Sequence, residues 1–175
     1  MRRRDPGWGD TADARAATRA TFCYTNAAPQ AAGFNQSKEL WLGLEDHVLA
    51  YAEAEDVRVS VFTAPILDSD DPPYRGIRVP LRFYKIAAWS TGGDAPTLAA
   101  AGFVLDQSEL VDTTQSLGPV RPLGAFRTFQ APVAEIAELA ALDAGPLVDA
   151  DVLPREGVRP TPWRELTARG DIRLG

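Results

Sequence analysis

A chain of 175 residues that is 45% hydrophobic, 9% aromatic and 24% charged has the length and composition of one ordinary globular domain, not of a disordered tail, a collagen-like rod or a coiled coil. One cysteine and one histidine, Cys23 and His47, exclude an intramolecular disulfide framework, a cysteine-based zinc cluster and a multi-histidine metal site. The formal charge of −6 argues against indiscriminate electrostatic capture of nucleic acid.

Met1-Arg2-Arg3-Arg4 begins like an export signal, but Asp5-Pro6-Gly7-Trp8-Gly9-Asp10 stands where an apolar stretch would have to follow. Neither a signal peptide nor a membrane span is expected in this chain, since no window approaches about 18 apolar residues. The compartment stays open, secretion of a longer form included. Thr11–Ala20 is rich in alanine and predicts a short helix, and Thr21-Phe-Cys-Tyr24 a short strand. Turn formers occupy 25–35, and a long helix begins near Gln36. There Trp41, Leu44, Val48 and Ala52 recur at i, i+3, i+7 and i+11, with Leu40, Leu49 and Tyr51 broadening the apolar side.

Beyond the acidic run Glu53–Asp56, Val57–Phe62 alternates as a strand should, Asp68–Gly76 is a polar loop, and Ile77–Trp89 alternates again with Pro80 marking an edge or bulge. Gly92-Gly93-Asp94 reads as a hairpin turn into a third strand at Thr97–Leu105. After a loop at Asp112–Pro122, Val133–Leu142 is a second amphipathic helix ending near Gly145. In the proline-rich tail Thr161 is placed to cap a last helix, with Pro162 at its first position. The expected fold is α+β: a mainly antiparallel sheet with helices packed on it, in one domain over 1–175 with a tail at 151–175.

One polar constellation surrounds the entry to the main helix: Asn26, Gln30, Asn35, Gln36 and Glu45. Ten residues separate Asn35 from Glu45, about 1000° of helical rotation and about 80° short of three turns, so a continuous helix would put both on one broad face. An amide oxygen and a carboxylate are hard donors of the kind that suit a largely hydrated Mg²⁺. The same residues also fit plainer roles, as caps, turn formers and solvated surface.

Thr25-Asn26-Ala-Ala-Pro29-Gln30, Phe34-Asn35-Gln36, Trp41 and Leu44-Glu45-Asp46 resemble the signature of the DNA/RNA non-specific endonucleases, the ββα-metal or His-Me finger nucleases. The resemblance extends to Arg3-Arg4-Asp5-Pro6-Gly7-Trp8-Gly9, Val61–Leu67, Val79–Lys85 and Phe126–Pro132, and so covers most of 1–150. It implies hydrolysis of phosphodiester bonds in DNA and RNA with one divalent ion, Mg²⁺ or Mn²⁺, whose protein ligand is Asn35. It further implies that Glu45 orients metal-bound water, that Asn26 positions the catalytic strand and phosphate, and that Arg3, Arg4 and Gln36 lie along the nucleic acid. A protein inhibitor is an admissible partner; a membrane is not, and oligomeric state is open.

The family's general base is a histidine in an Asp-Arg-Gly-His motif, which would end just where Met1 stands. His47 does not substitute, because i and i+2 side chains on one helix point about 200° apart; it is expected to face solvent. Met1 abutting the absent motif points to an N-terminally truncated domain, and as this chain cleavage should be weak or lost. The alternative is a short form that is real: a non-catalytic nucleic-acid- or inhibitor-binding module on the same scaffold. Charge is placed accordingly: residues 1–20 carry five basic and three acidic groups and 21–35 none, whereas 91–175 carry seven basic and twelve acidic. Residues 36–60, which hold Glu45, carry two basic and six acidic groups, so the acidity avoids the region from Arg2 to Asn35.

Overall fold

A computed structural model of the chain describes residues 10–20, 28–30, 41–91, 95–109, 127–153 and 162–174. Helix α1 spans Thr11–Ala20, as expected. It starts at Asp10, whose Oδ1 accepts the N–H groups of Ala12 (2.7 Å) and Asp13 (3.0 Å), supplying acceptors to two donors that have no partner inside a first helical turn. Those two bonds hold the Asp10 carboxyl below its ordinary range.

Helix α2 is described over Trp41–Ala54; residues 36–40 and the expected strand at 21–24 lie outside the described residues. The periodicity predicts its buried stripe at Leu44 (1% exposed) and Val48, but Leu49 is 55% exposed. Leu49 therefore does not belong to the apolar side, because a stripe set by Leu44 and Val48 leaves position 49 about 100° round the helix. The helix ends in a Schellman motif: Asp56 is left-handed (φ 51) and the Val57 N–H reaches back to the Ala52 carbonyl (3.0 Å).

Five strands form an antiparallel sheet in the order β1 (Val59–Ile66), β4 (Arg82–Ser90), β5 (Leu98–Asp106), β6 (Arg127–Gln130), β7 (Arg164–Glu165). The expected meander is its core, with two corrections. The alternating run Ile77–Trp89 is two strands, since Pro80 lacks a ladder donor. Ile77–Arg78 is β3, pairing with β2 (Pro73–Tyr74) across Arg75 and Gly76, both at positive φ as a two-residue primed turn requires. The tail carries β7 where a capped helix was expected. Its segment is held by the Trp163 indole N–H on the Glu135 carboxylate and by a bidentate Arg127–Glu165 pair at 2.9 and 2.7 Å, contacts that no local capping signal reports.

Each face of the sheet carries a core. Phe83, Ala87 and Trp89 of β4 and alternate residues of β5 from Ala99 to Leu105 face α2, where Leu44, Val48, Leu166 and Leu174 complete one cluster. Ile86, Ala88, Ala100 and Val104 face the other way, against Val133 and Ile136 of α3 (Val133–Leu139). Helix α3 is three residues shorter than its apolar pattern, because Ala141 turns left-handed (φ 49) and the Leu142 N–H closes on the Ala137 carbonyl. Gly145–Leu147 then forms a 3-10 turn. Among the described residues no helix is long and apolar enough to cross a membrane.

Candidate active site

Helix α2 places Glu45 in its second turn, one residue after buried Leu44. Val48 follows on the same buried stripe, and Tyr51 meets Trp89 edge to face at 5.4 Å. The helix thus stands on the face of the sheet that carries Phe83, Ala87 and Trp89. His47, on the same helix, is half-buried where solvent exposure was expected. The side chain of Glu45, and Asn26, Asn35, Gln36, Arg3 and Arg4 entirely, lie outside the described residues.

The stretch between Asn26 and Asn35 is anchored at one described point. The buried Gln107 side chain, just after β5, donates through Nε2 to the carbonyl of Pro80 (2.6 Å) and at 3.4 Å to that of Pro29. Its backbone N–H bonds the Leu81 carbonyl (2.8 Å). Ala28 packs against the α2-side core. Pro29 of the Thr25–Gln30 motif therefore lies at the end of the sheet where β1 finishes, β4 starts and β5 finishes.

On the α2 face of β4, between Phe83 and Ala87, stands Lys85, only 3% exposed. Its cross-strand neighbours are Thr63 on β1 and Phe103 on β5. The ammonium donates to Thr63 Oγ1 at 3.3 Å, so the stem lies in the core and the charge is carried toward the β1 edge. A lysine at an inward position of an apolar alternation is the sequence signal for this group, since lysines are almost never buried without a partner.

A cleft of about 280 Å³ opens at the same end of the sheet, lined by Asp68, Asp70, Asp71, Asp106 and Arg82 among others. Four carboxylates against one guanidinium repel phosphate. Their oxygens are also engaged: buried Asp71 accepts the N–H groups of Asp68 (2.9 Å) and Leu81 (3.0 Å), and Asp68 binds Arg82 at 2.9 Å. The Asp70 N–H, and then the Arg82 charge, hold the Asp68 carboxyl below its ordinary range. This cleft is loop architecture.

The model of the DNA/RNA non-specific endonucleases matches residues 1–151. The chain belongs to the DNA/RNA non-specific endonuclease family. It is 35% identical over 176 residues to the "Uncharacterized protein y4fB" of Sinorhizobium fredii (strain NBRC 101917 / NGR234), covering 98% of this chain and 26% of that protein. The chain thus spans about a quarter of the length of this relative. No solved structure matches it. Membership gives this endonuclease-family chain a nuclease reading, and its α+β architecture with a mainly antiparallel sheet is compatible with one.

Among the described residues no group of three or more His, Cys, Asp or Glu is arranged to hold a metal. A site with one amide ligand and a carboxylate acting through water needs no such group. Asn35 and Glu45, the donors that the sequence points to, carry hard oxygens of the kind that suit Mg²⁺ or Mn²⁺, and Asn35 and the Glu45 side chain lie outside the described residues.

Proposed function

We propose that this chain is the metal- and phosphate-binding part of an endonuclease hydrolysing phosphodiester bonds of DNA and RNA, on a ββα-metal scaffold. The observation that carries the reading is the family match over 1–151, together with Glu45 on a helix whose buried stripe is fixed against the sheet. Asn35 is the ligand to one Mg²⁺ or Mn²⁺, and Glu45 holds the proton-bearing side of the hydration shell. Asn26 fixes the strand end beneath the phosphate, while Arg3, Arg4 and Gln36 engage the nucleic-acid backbone. When bound, the ion stabilises charge developing on the phosphoryl oxygens and leaving group.

The chain contains one histidine, His47, two residues from Glu45 on the same helix, which points away from any group Glu45 serves. As this polypeptide the site therefore binds better than it cuts, because a missing general base costs about 10²- to 10⁴-fold in rate. A second reading, a non-catalytic nucleic-acid- or inhibitor-binding module, shares that histidine content. Isothermal titration with Mn²⁺ and plasmid cleavage with and without EDTA test the first. The expected result is Mn²⁺ binding abolished by Asn35→Ala, with slow cleavage. DNA binding indifferent to EDTA and to Asn35→Ala favours the second, and brisk EDTA-sensitive cleavage refutes the stated deficit.

A further inference from the structure

We propose that the β2–β3 hairpin is a further contact for nucleic acid, with Tyr74 as a stacking platform for an unpaired base and Arg75 as the partner of its phosphate. The inference rests on the nuclease reading above, which makes DNA or RNA the ligand; the hairpin's own chemistry selects the single-stranded form.

Tyr74 and Ile77 are cross-strand neighbours, 55% and 53% exposed, so an aromatic ring and a branched aliphatic chain stand side by side in water. An exposed ring of this kind is what an unpaired base covers with its own face. Arg75, first of the two turn residues, is left-handed at φ 49. Asn-Gly is the ordinary choice for such a turn, because most side chains crowd the backbone in this conformation. Arginine therefore costs stability at the tip, and what it adds there is a long cation. Its guanidinium lies 5.4 Å from the Tyr74 ring centroid, and among the described residues no carboxylate pairs with it. Ring and cation are thus offered together, one for a base and one for its phosphate.

The charge of the hairpin differs from that of the acidic cleft beside it. From Pro72 to Tyr84 the chain carries Arg75, Arg78 and Arg82 and no acidic residue. Asp71 is buried and accepts two backbone N–H groups, Asp68 pairs with Arg82, and Asp70 lines the cleft. Arg78 donates to the carbonyls of Ser69 (2.7 Å) and Asp71 (2.8 Å), which clamps the base of the hairpin without neutralising the guanidinium. The Val79 N–H closes that base on the Pro72 carbonyl at 2.9 Å. The carbonyl of the next residue, Pro80, shares Gln107 Nε2 with that of Pro29. The platform is therefore pre-formed, and rooted at the end of the sheet where Pro29 lies.

The whole chain is titrated, in Mn²⁺ where its cleavage is slow, with a short labelled oligothymidylate and with a duplex of the same length, and fluorescence anisotropy reads both. Tyr74→Ala is expected to weaken the oligothymidylate about tenfold and to leave the duplex, whose bases are already stacked, within about twofold. Calorimetric Mn²⁺ binding should not change, and Tyr74→Trp should hold or tighten the single strand. Arg75→Asn, better suited to the turn, is expected to raise the melting temperature while weakening the oligothymidylate about two- to threefold; a merely structural arginine would move stability alone. Tyr74→Ala with wild-type affinity for the single strand overturns the inference, the result expected if the hairpin docks another protein instead. Equal losses for single strand and duplex overturn it too. Should Tyr74→Ala fail to fold, Arg75→Asn decides in its place, and unchanged single-strand affinity overturns the inference. A wild-type chain that binds Mn²⁺ and duplex but no oligothymidylate sinks the inference and leaves the nuclease reading standing. One that takes up neither Mn²⁺ nor either oligonucleotide overturns the nuclease reading itself, a result recognisable before any variant is made.

Discussion

Tyr51 of α2 stands edge to face on Trp89 of β4, with ring centroids 5.4 Å apart and planes at 68°, and this pair fixes where along the sheet the helix carrying Glu45 lies. Such a pair contributes about 0.5–1.5 kcal/mol beyond the area it buries.

The same helix provides a test of its own register. Leu44 is 1% exposed and Leu49 is 55% exposed. Leu44→Ala should cost about 2–5 kcal/mol, and Leu49→Lys should stay within about 0.5 kcal/mol of wild type. Urea denaturation followed by circular dichroism reads both; equal costs would place the helix in a different rotation.

Gly102 on β5 is a point of close approach. A Cβ there would lie 2.5 Å from the Ala131 carbonyl oxygen and 2.6 Å from Ile136 Cδ1. Neither the backbone before α3 nor the fully buried Ile136 has room to give, so Gly102→Ala should lose about 1–3 kcal/mol as an overpacked core. The midpoint of guanidinium unfolding would fall accordingly, whereas Gly170→Ala, with open space around it, serves as the silent control.

Helix α3 takes its N-terminal acceptor from a distant residue. Asp151 accepts the Val133 N–H at 2.7 Å through one oxygen and the Leu153 N–H at 3.0 Å through the other, while Pro132 in the cap position supplies no side-chain bond. Asp151→Ala leaves the buried Val133 amide without that acceptor, at about 1–3 kcal/mol. Asp151→Asn, which keeps one oxygen, should recover part of the loss in thermal melts.

Acid should destabilise the fold through identifiable carboxylates. Arg127 holds Glu165 below its ordinary range, and the N–H groups of Thr167 and Ala168 do the same for Asp171. Asp68 and Asp10 are shifted in the same direction. Their unfolded pKa values lie above the folded ones, so the unfolded chain takes up protons first as pH falls. Their contribution is complete above about pH 5 and disappears as pH drops from about 4 through the lowered folded values. Melting temperature against pH should be flat down to about 5 and then fall, less steeply in Glu165→Gln. Added salt should weaken the Glu165 share, an exposed ion pair, more than the Asp171 share, which rests mainly on backbone donors.

Elements whose causes are local were legible in the sequence: α1 from its alanines, β1 and β4 from alternation, β5 from the hairpin turn expected before it, and the buried stripe of α2 from its period. The features missed have long-range causes. Strand β7 exists because Arg127, Gln130 and Glu135 receive Glu165, Arg164 and Trp163 from across the fold. Leu49 matched an apolar pattern without belonging to its face. Of the site, residue types and order were legible through resemblance, whereas the burial of Lys85 depends on its cross-strand neighbours Thr63 and Phe103, which no local pattern reports.

Gln107 ties Pro29 to the sheet across 78 positions of chain. Closing so long a loop carries an entropic cost that β1, β4 and β5, paired in sequence order, avoid. The meander can therefore assemble first and offer Gln107 as a ready-made dock for Pro29.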